Sequence, residues 1–277
     1  EARVYSLLGL LTVMSMYYFM WILKYCSNES IRSATSNYKL RKNVGALTIL
    51  NSLIIYSHYF GFFVLLVQFI FFISNRKRIA EYWKYFLLCI SIIGFVYLPN
   101  IDIILSRLIQ SSTQGTWIEP PNGLDSFYNM LRQLCNAPVV TVCAISLLII
   151  SLVKFLITKK ENAKNRLHVR LVILWVSFII VVMFTVSFRI PMFIDRYLMP
   201  AAVAFSLVLG IALNYINPIR KFPHLFPAVF IILFAASAQP NITNKRNVSE
   251  TVNFIKENQD TNTLVIICPP ELLFNFA

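Results

Sequence analysis

The side chains of this 277-residue chain that could do chemistry fall into four short groups. Glu1, Arg3 and Tyr5 open the first apolar run, and His58 with Tyr59 interrupts the second. Trp117 and Glu119 lie in a long polar stretch, and Arg189 followed by Asp195-Arg196-Tyr197 precedes a later apolar run. Ionisable groups at the ends of membrane spans are costly, so several of them on one side of a bilayer mark a site. Arginine and aromatic residues in such a place suit the handling of lipid phosphate. Each group also has a simpler reading. A lone Arg3 or Arg189 snorkels to headgroups, and His58 hydrogen-bonds within a turn. Tyr5, Tyr59 and Trp117 fill an aromatic belt, and Asp195 with Arg196 makes an exposed ion pair worth little.

The elements that must carry these groups are set by composition. Hydrophobic residues make up 57% of the chain and charged residues 13%, against roughly 25% charged in soluble domains, with a mean hydropathy of +0.66. This is the composition of an integral membrane protein. A helical span needs about 20 apolar residues, because lipid cannot satisfy a bare backbone. Six runs are long enough or nearly so: Val4–Lys24, Lys84–Pro99, Ala137–Ile157, Leu171–Phe188, Met199–Ile216 and His224–Ala238. The stretch Val44–Ser74 is too long for one untilted span and carries Ser57-His58-Tyr59-Phe60-Gly61 at its middle, so it reads as a hairpin of two short helices. The expected fold is an all-α polytopic membrane protein of about eight transmembrane helices, occupying residues 1–238. Residues 239–277 begin a small extracytoplasmic α/β segment, with Ser249 capping a helix over Glu250–Asn258 and a strand over Thr263–Cys268.

Charge gives this arrangement a direction. Lys and Arg in short loops accumulate on the cytoplasmic side. The hairpin brings Lys39, Arg41 and Lys42 to the same face as Arg76, Lys77 and Arg78, and with eight spans 17 of the 25 basic residues share that face. Only Glu29, Glu81 and Glu161 of the 12 acidic residues join them. The net charge of +13 is therefore a topology signal, not a sign of nucleic-acid binding. All four candidate groups fall on the opposite, outer face. The five cysteines, Cys26, Cys89, Cys135, Cys143 and Cys268, have no paired spacing and suggest neither a disulfide framework nor a zinc knuckle.

Four motifs in order carry a family resemblance: Glu1-Ala2-Arg3-Val4-Tyr5, then Ser57-His58-Tyr59-Phe60, then Thr116-Trp117-Ile118 with Pro120-Pro121, then Asp195-Arg196-Tyr197-Leu198. Together they resemble the bacterial GT-C integral membrane glycosyltransferases, nearest to the protein mannosyltransferase-like branch of glycosyltransferase family 39. The resemblance implies transfer of a sugar from a polyprenyl-phosphate carrier to an acceptor glycan, lipid or protein, on the outer side of a bacterial cytoplasmic membrane, with inversion. It also implies roles. Arg3, Arg196 and Arg189, with Tyr5 and Tyr197, would bind the donor phosphate, where a planar guanidinium fork matches the phosphate oxygens. Glu1 and His58 would orient the acceptor or hold a divalent metal. Tyr59, Trp117 and Glu119 would contact the sugar. Ser57 stands where the family pattern has Thr, which keeps the hydroxyl. The family's catalytic Asp lies upstream of the Glu-Ala-Arg motif, so the general base is expected before residue 1 in a chain cut at both ends.

Two other classes handle the same lipid-linked substrates. A flippase or transporter should carry ionisable or helix-breaking residues at span midpoints. The middles of Val4–Lys24, Ala137–Ile157 and Leu171–Phe188 hold only small hydroxyls such as Thr12, Ser15, Ser146 and Ser177. A surface-polysaccharide polymerase or ligase would lack the ordered Glu-Ala-Arg and Arg-Tyr-Leu motifs. The topology is open to direct test in a cysteine-free background. A membrane-impermeant thiol reagent added from outside should label Gly115→Cys and miss Lys160→Cys; the reverse pattern would invert the whole arrangement.

Overall fold

The computed structural model describes residues 2–27, 37–76, 82–113, 118–157, 163–216, 225–237 and 248–258. The described residues are helical wherever they are regular, with no strand among them. The helices are α1 (Ala2–Ser27), α2 (Asn37–Ser57), α3 (Gly61–Ser74), α4 (Trp83–Tyr97), α5 (Ile101–Thr113), α6 (Leu124–Cys135), α7 (Pro138–Ile157), α8 (Ala163–Val186), α9 (Met199–Ile216), α10 (Leu225–Ser237) and α11 (Val248–Asn258). Short 3-10 turns over Leu98–Asn100 and Asp195–Leu198 join α4 to α5 and lead into α9. The chain divides into two compact units, residues 1–237 and 238–277. In the second, α11 starts one residue before the expected cap at Ser249; the proposed strand Thr263–Cys268 lies outside the described residues.

Four helical stretches are long and apolar enough to cross a membrane: Val4–Cys26, Trp83–Ser106, Leu167–Val186 and Asp195–Leu213. A fifth is possible if Leu124–Cys135 and Pro138–Lys154, bent by 100°, form one broken span. Gly61–Ser74 and Pro227–Ser237 are apolar but shorter. The structure is thus an all-α membrane protein of four or five such spans by length and composition.

The stretch Val44–Ser74 does fold as two helices, because α2 stops at Ser57 and α3 starts at Gly61. Gly61 is required there. A Cβ on it would sit 2.8 Å from the carbonyl oxygen of Ile54 and collide with the Ile54 side chain, so only a bare α-carbon lets the two arms meet. The polar stretch after residue 100 differs from a plain outer loop. Ile101–Ser106 prolongs the α4 span, and Leu124–Cys135 forms an amphipathic helix with Phe127, Met130, Leu131 and Leu134 packed inward and Asp125 and Arg132 on its polar side. Asn136 turns the chain with φ of 64°, a left-handed conformation that Asn tolerates better than most residues, and Pro138 then opens α7.

α1 is central. It packs against α2, α3 and α9; α2 packs in turn on α4, α3 on α8, and α9 on α7, α8 and α10. The share of each span that is buried agrees: 44% of the α1 window against 11% of Trp83–Ser106. The core between these helices is built on Phe19, Leu23, Phe71, Trp175, Ile179 and Met183. Most hydroxyls inside the helices return to the carbonyl four residues back, as Thr12 does to Leu8 (2.7 Å) and Thr48 to Val44 (2.9 Å). His168 Nδ1 and Trp175 Nε1 of α8 are buried with no hydrogen-bond partner among the described residues.

One polar set instead joins helices. Ser15 Oγ of α1 donates to Asn51 Oδ1 of α2 at 2.6 Å, and Asn51 Nδ2 donates to Gln68 Oε1 of α3 at 2.8 Å. Gln68 Nε2 donates back to Ser15 Oγ at 2.8 Å. The three residues are 0–4% exposed, so the ring of bonds is closed and dry. Removing one member strands the others, at about 1–3 kcal/mol for an unsatisfied buried group. Asn51→Leu or Gln68→Leu should each destabilise the bundle by about that amount in reversible detergent unfolding. The double variant should cost less than the sum by more than ~0.5 kcal/mol; additive costs would show that the three do not act as one circuit.

Candidate functional site

The site grows from the tip of the α2–α3 hairpin. Ser57 Oγ donates to the carbonyl of Leu53 at 2.6 Å, closing the end of α2. The His58 N–H still reaches Ile54 O (3.1 Å), the Gly61 N–H donates to His58 O (2.8 Å), and the Phe60 N–H donates to His58 Nδ1 (3.2 Å). The simpler reading of His58 as a turn residue is therefore correct as far as Nδ1 goes. As an acceptor Nδ1 carries no proton, which places the imidazole proton on Nε2.

Around this ring three remote segments meet. Tyr5, from the second turn of α1, lies 5.3 Å from His58 by ring centroids, and Tyr197, from the 3-10 turn before α9, lies 5.6 Å from it. Tyr5 and Tyr197 are 6.2 Å apart, so the three rings form a triangle. Tyr59 stacks on His58 at 4.4 Å, and Phe60 packs under Tyr197 at 4.5 Å. These separations suit aromatic contact, in which the apolar rings pack while phenol and imidazole heads stay available for hydrogen bonds. Phe60 and Leu198 are buried, Tyr5, His58 and Tyr197 are half-buried, and Tyr59 and Arg196 are exposed.

The third segment is held by a serine. Ser187, fully buried at the end of α8, donates to Met183 O (2.6 Å) and accepts the Met192 N–H (3.2 Å), which turns the chain back toward the bundle. The Tyr197 N–H then donates to Ile194 O (3.2 Å), and Leu198 seats itself in the core beside α9. Tyr197 is thereby aimed at the hairpin tip.

Of the expected site residues, the structure brings together Tyr5, His58, Tyr59 and Tyr197, with Arg196 adjacent in sequence. Arg189 and Glu119 are exposed, and among the described contacts neither reaches the rings. Glu1 and Trp117 lie outside the described residues; Arg3 falls in the first turn of α1, with its side chain outside them. Among the described residues no group of three His, Cys, Asp or Glu could hold a metal ion. The four described cysteines, Cys26, Cys89, Cys135 and Cys143, are free thiols, and Cys268 falls outside. Two cavities, one behind Phe19, Leu40 and Phe72 and one along Arg41 and Ile92, share no residue with the ring triangle.

Sequence reasoning missed two groups. Phe60 was part of a motif without a role, yet it packs against Tyr197 in the cluster. Asn51 and Gln68 carry the interhelical circuit; the signal was a lone amide in each arm of an apolar hairpin, seven residues from His58 and from Gly61 respectively. The convergence is testable by cross-linking. In a cysteine-free background, a short bis-maleimide should join Tyr5→Cys to His58→Cys and His58→Cys to Tyr197→Cys, but not Tyr5→Cys to Ser74→Cys. Failure of the first two pairs would dissolve the triangle. No family model matches the chain, and neither a curated protein nor a solved structure matches it.

Proposed function

We propose that this chain is part of a membrane glycosyltransferase that takes a sugar from a polyprenyl-phosphate carrier and transfers it, with inversion, to an acceptor on the extracytoplasmic side. The observation that supports this reading is the meeting of Tyr5, His58 and Tyr197, which belong to three of the four ordered motifs. Motifs that matched by accident would have no reason to share one end of the bundle. In this reading the hairpin tip faces outward from a bacterial cytoplasmic membrane, the chain has about eight spans counting the short helices, and residues 239–277 begin an extracytoplasmic segment.

The reaction needs few parts. A general base takes the proton of an acceptor hydroxyl or amine. The freed lone pair forms the new bond to the anomeric carbon, and the bond from that carbon to the phosphate oxygen breaks on the opposite face. Its electron pair stays on the phosphate. Cationic forks aimed at that oxygen stabilise the leaving charge more in the transition state than in the ground state. Arg3 and Arg196 take this role, with Arg189 third; the phenols of Tyr5 and Tyr197 donate to phosphate, Glu1 and His58 orient the acceptor, and Tyr59, Trp117 and Glu119 hold the sugar.

The flippase reading receives less support from the interior. The buried polar groups that join α1, α2 and α3 are neutral and satisfy one another, so they offer no charge or open donor to a passing phosphate. Arg196→Ala in the complete natural polypeptide should lower transfer from a polyprenyl-phosphate sugar by about 10²-fold or more, with expression unchanged and Arg196→Lys partly active. Transfer within twofold of wild type would remove Arg196 from the phosphate site.

A further inference from the structure

α2 and α4 lie side by side and run in the same direction. Thr48 Oγ1 sits 2.9 Å from Cys89 Sγ, and nearer the hairpin tip Tyr56 Oη donates to Val96 O at 2.6 Å, so one register holds along both helices. Away from the tip the pair opens. Gly45 faces the opening, and a Cβ there would meet no heavy atom within 4 Å. The result is a groove of about 530 Å³ with Arg41, Gly45 and Ile49 on one wall and Tyr85, Leu88 and Ile92 on the other. Thr48 and Cys89, already engaged with each other, close its floor.

The groove is apolar along its length and cationic at one end. From Arg41 to Ile49 the helix rises about 12 Å, close to the ~15 Å of hydrocarbon in one leaflet. Ile49 and Leu88 are more than half exposed, and α4 belongs to the least buried of the four candidate spans, so this face lies open to lipid. Arg41 is exposed at its head and is followed in sequence by the exposed Lys42, and the exposed Lys84 immediately precedes Tyr85 of the other wall. The described carboxylates of residues 1–237, Asp102, Glu119, Asp125 and Asp195, all lie beyond α4: in α5, before α6, in the first turn of α6 and in the 3-10 turn before α9. Among the described residues Arg41 has no carboxylate partner.

We propose that the α2–α4 groove binds one acyl chain of an anionic phospholipid whose phosphate rests on Arg41. A methylene chain fits a channel of this size, and a guanidinium at its mouth selects a lipid whose headgroup carries net negative charge. The site is separate from the ring triangle and does not rest on the glycosyltransferase reading; it needs only a bundle embedded in a bilayer.

The test uses the protein in phosphatidylcholine nanodiscs doped with phosphatidylglycerol that carries a photoactivatable diazirine in its acyl chain. After irradiation, adducts should concentrate on residues 45–49 and 88–92, above those on Val139 and Ile149, which are exposed apolar positions elsewhere on the bundle. Gly45→Phe fills the groove and should cut the first set at least fivefold while leaving the second unchanged. Arg41→Ala should abolish the roughly fivefold preference for the phosphatidylglycerol probe over a phosphatidylcholine probe. Equal labelling of the groove and of the Val139–Ile149 surface would overturn the proposal. So would Gly45→Phe within twofold of wild type, or a headgroup preference that survives Arg41→Ala. Exclusion of the probe from the groove together with cross-linked dimers would seat a second copy there and equally overturn it. If Gly45→Phe does not fold, the Arg41 comparison decides alone, because an exposed side chain near a helix end can be shortened without disturbing the core.

Discussion

Ser15, Asn51 and Gln68 hydrogen-bond to one another in a ring closed across three helices. Apolar packing between such helices is permissive, because a leucine surface can slide or rotate against another at small cost, and lipid tails are as apolar as the helices themselves. A dry amide has no such freedom. It must find its partner, and the partner must be at one rotation and one height. The circuit therefore sets how α1, α2 and α3 face each other, about 10–15 Å below the hairpin tip by helical rise.

The ring triangle inherits its geometry from that constraint. Tyr5 sits three turns above Ser15 on α1, and His58 sits two turns beyond Asn51 on α2. If the amides meet, the rings above them meet too. Gly61 contributes the other condition, since only a residue without a side chain lets α3 start against the backbone of Ile54. Tyr197 arrives independently, through the buried Ser187 and the 3-10 turn, and packs on Phe60. Two separate devices thus bring aromatic and polar heads to the same rim.

The two ends of the bundle differ in chemistry. At the hairpin end, the phenols of Tyr5 and Tyr197 and the His58 imidazole gather beside Phe60. At the other end, Lys39 lies 6.0 Å over the ring of Trp21, Trp21 stacks on Tyr25, and Arg41 heads a lipid-facing groove. Cations beside apolar surface are what an anionic leaflet attracts. A molecule with phenols and an imidazole at one end and basic groups at the other is chemically asymmetric along its helix axes.

Local composition was enough to read the membrane class, the helical character and the break at Ser57–Gly61, because each follows from apolar run length or a short polar interruption. Tyr5, His58, Tyr59 and Tyr197 were also legible as polar aromatic groups near the ends of apolar runs. Other features were not. The Asn51–Gln68–Ser15 circuit needs the rotation of three helices, which periodicity in one helix does not carry. Phe60 reads as one apolar residue among many until Tyr197 is placed on it. The helices within residues 101–135 were hidden by prolines and polar residues, although their apolar spacing was present. Only the tertiary arrangement decided that residues 5, 58 and 197 share one rim, since contact between segments so far apart in the chain depends on the packing of whole helices and not on any neighbouring residue.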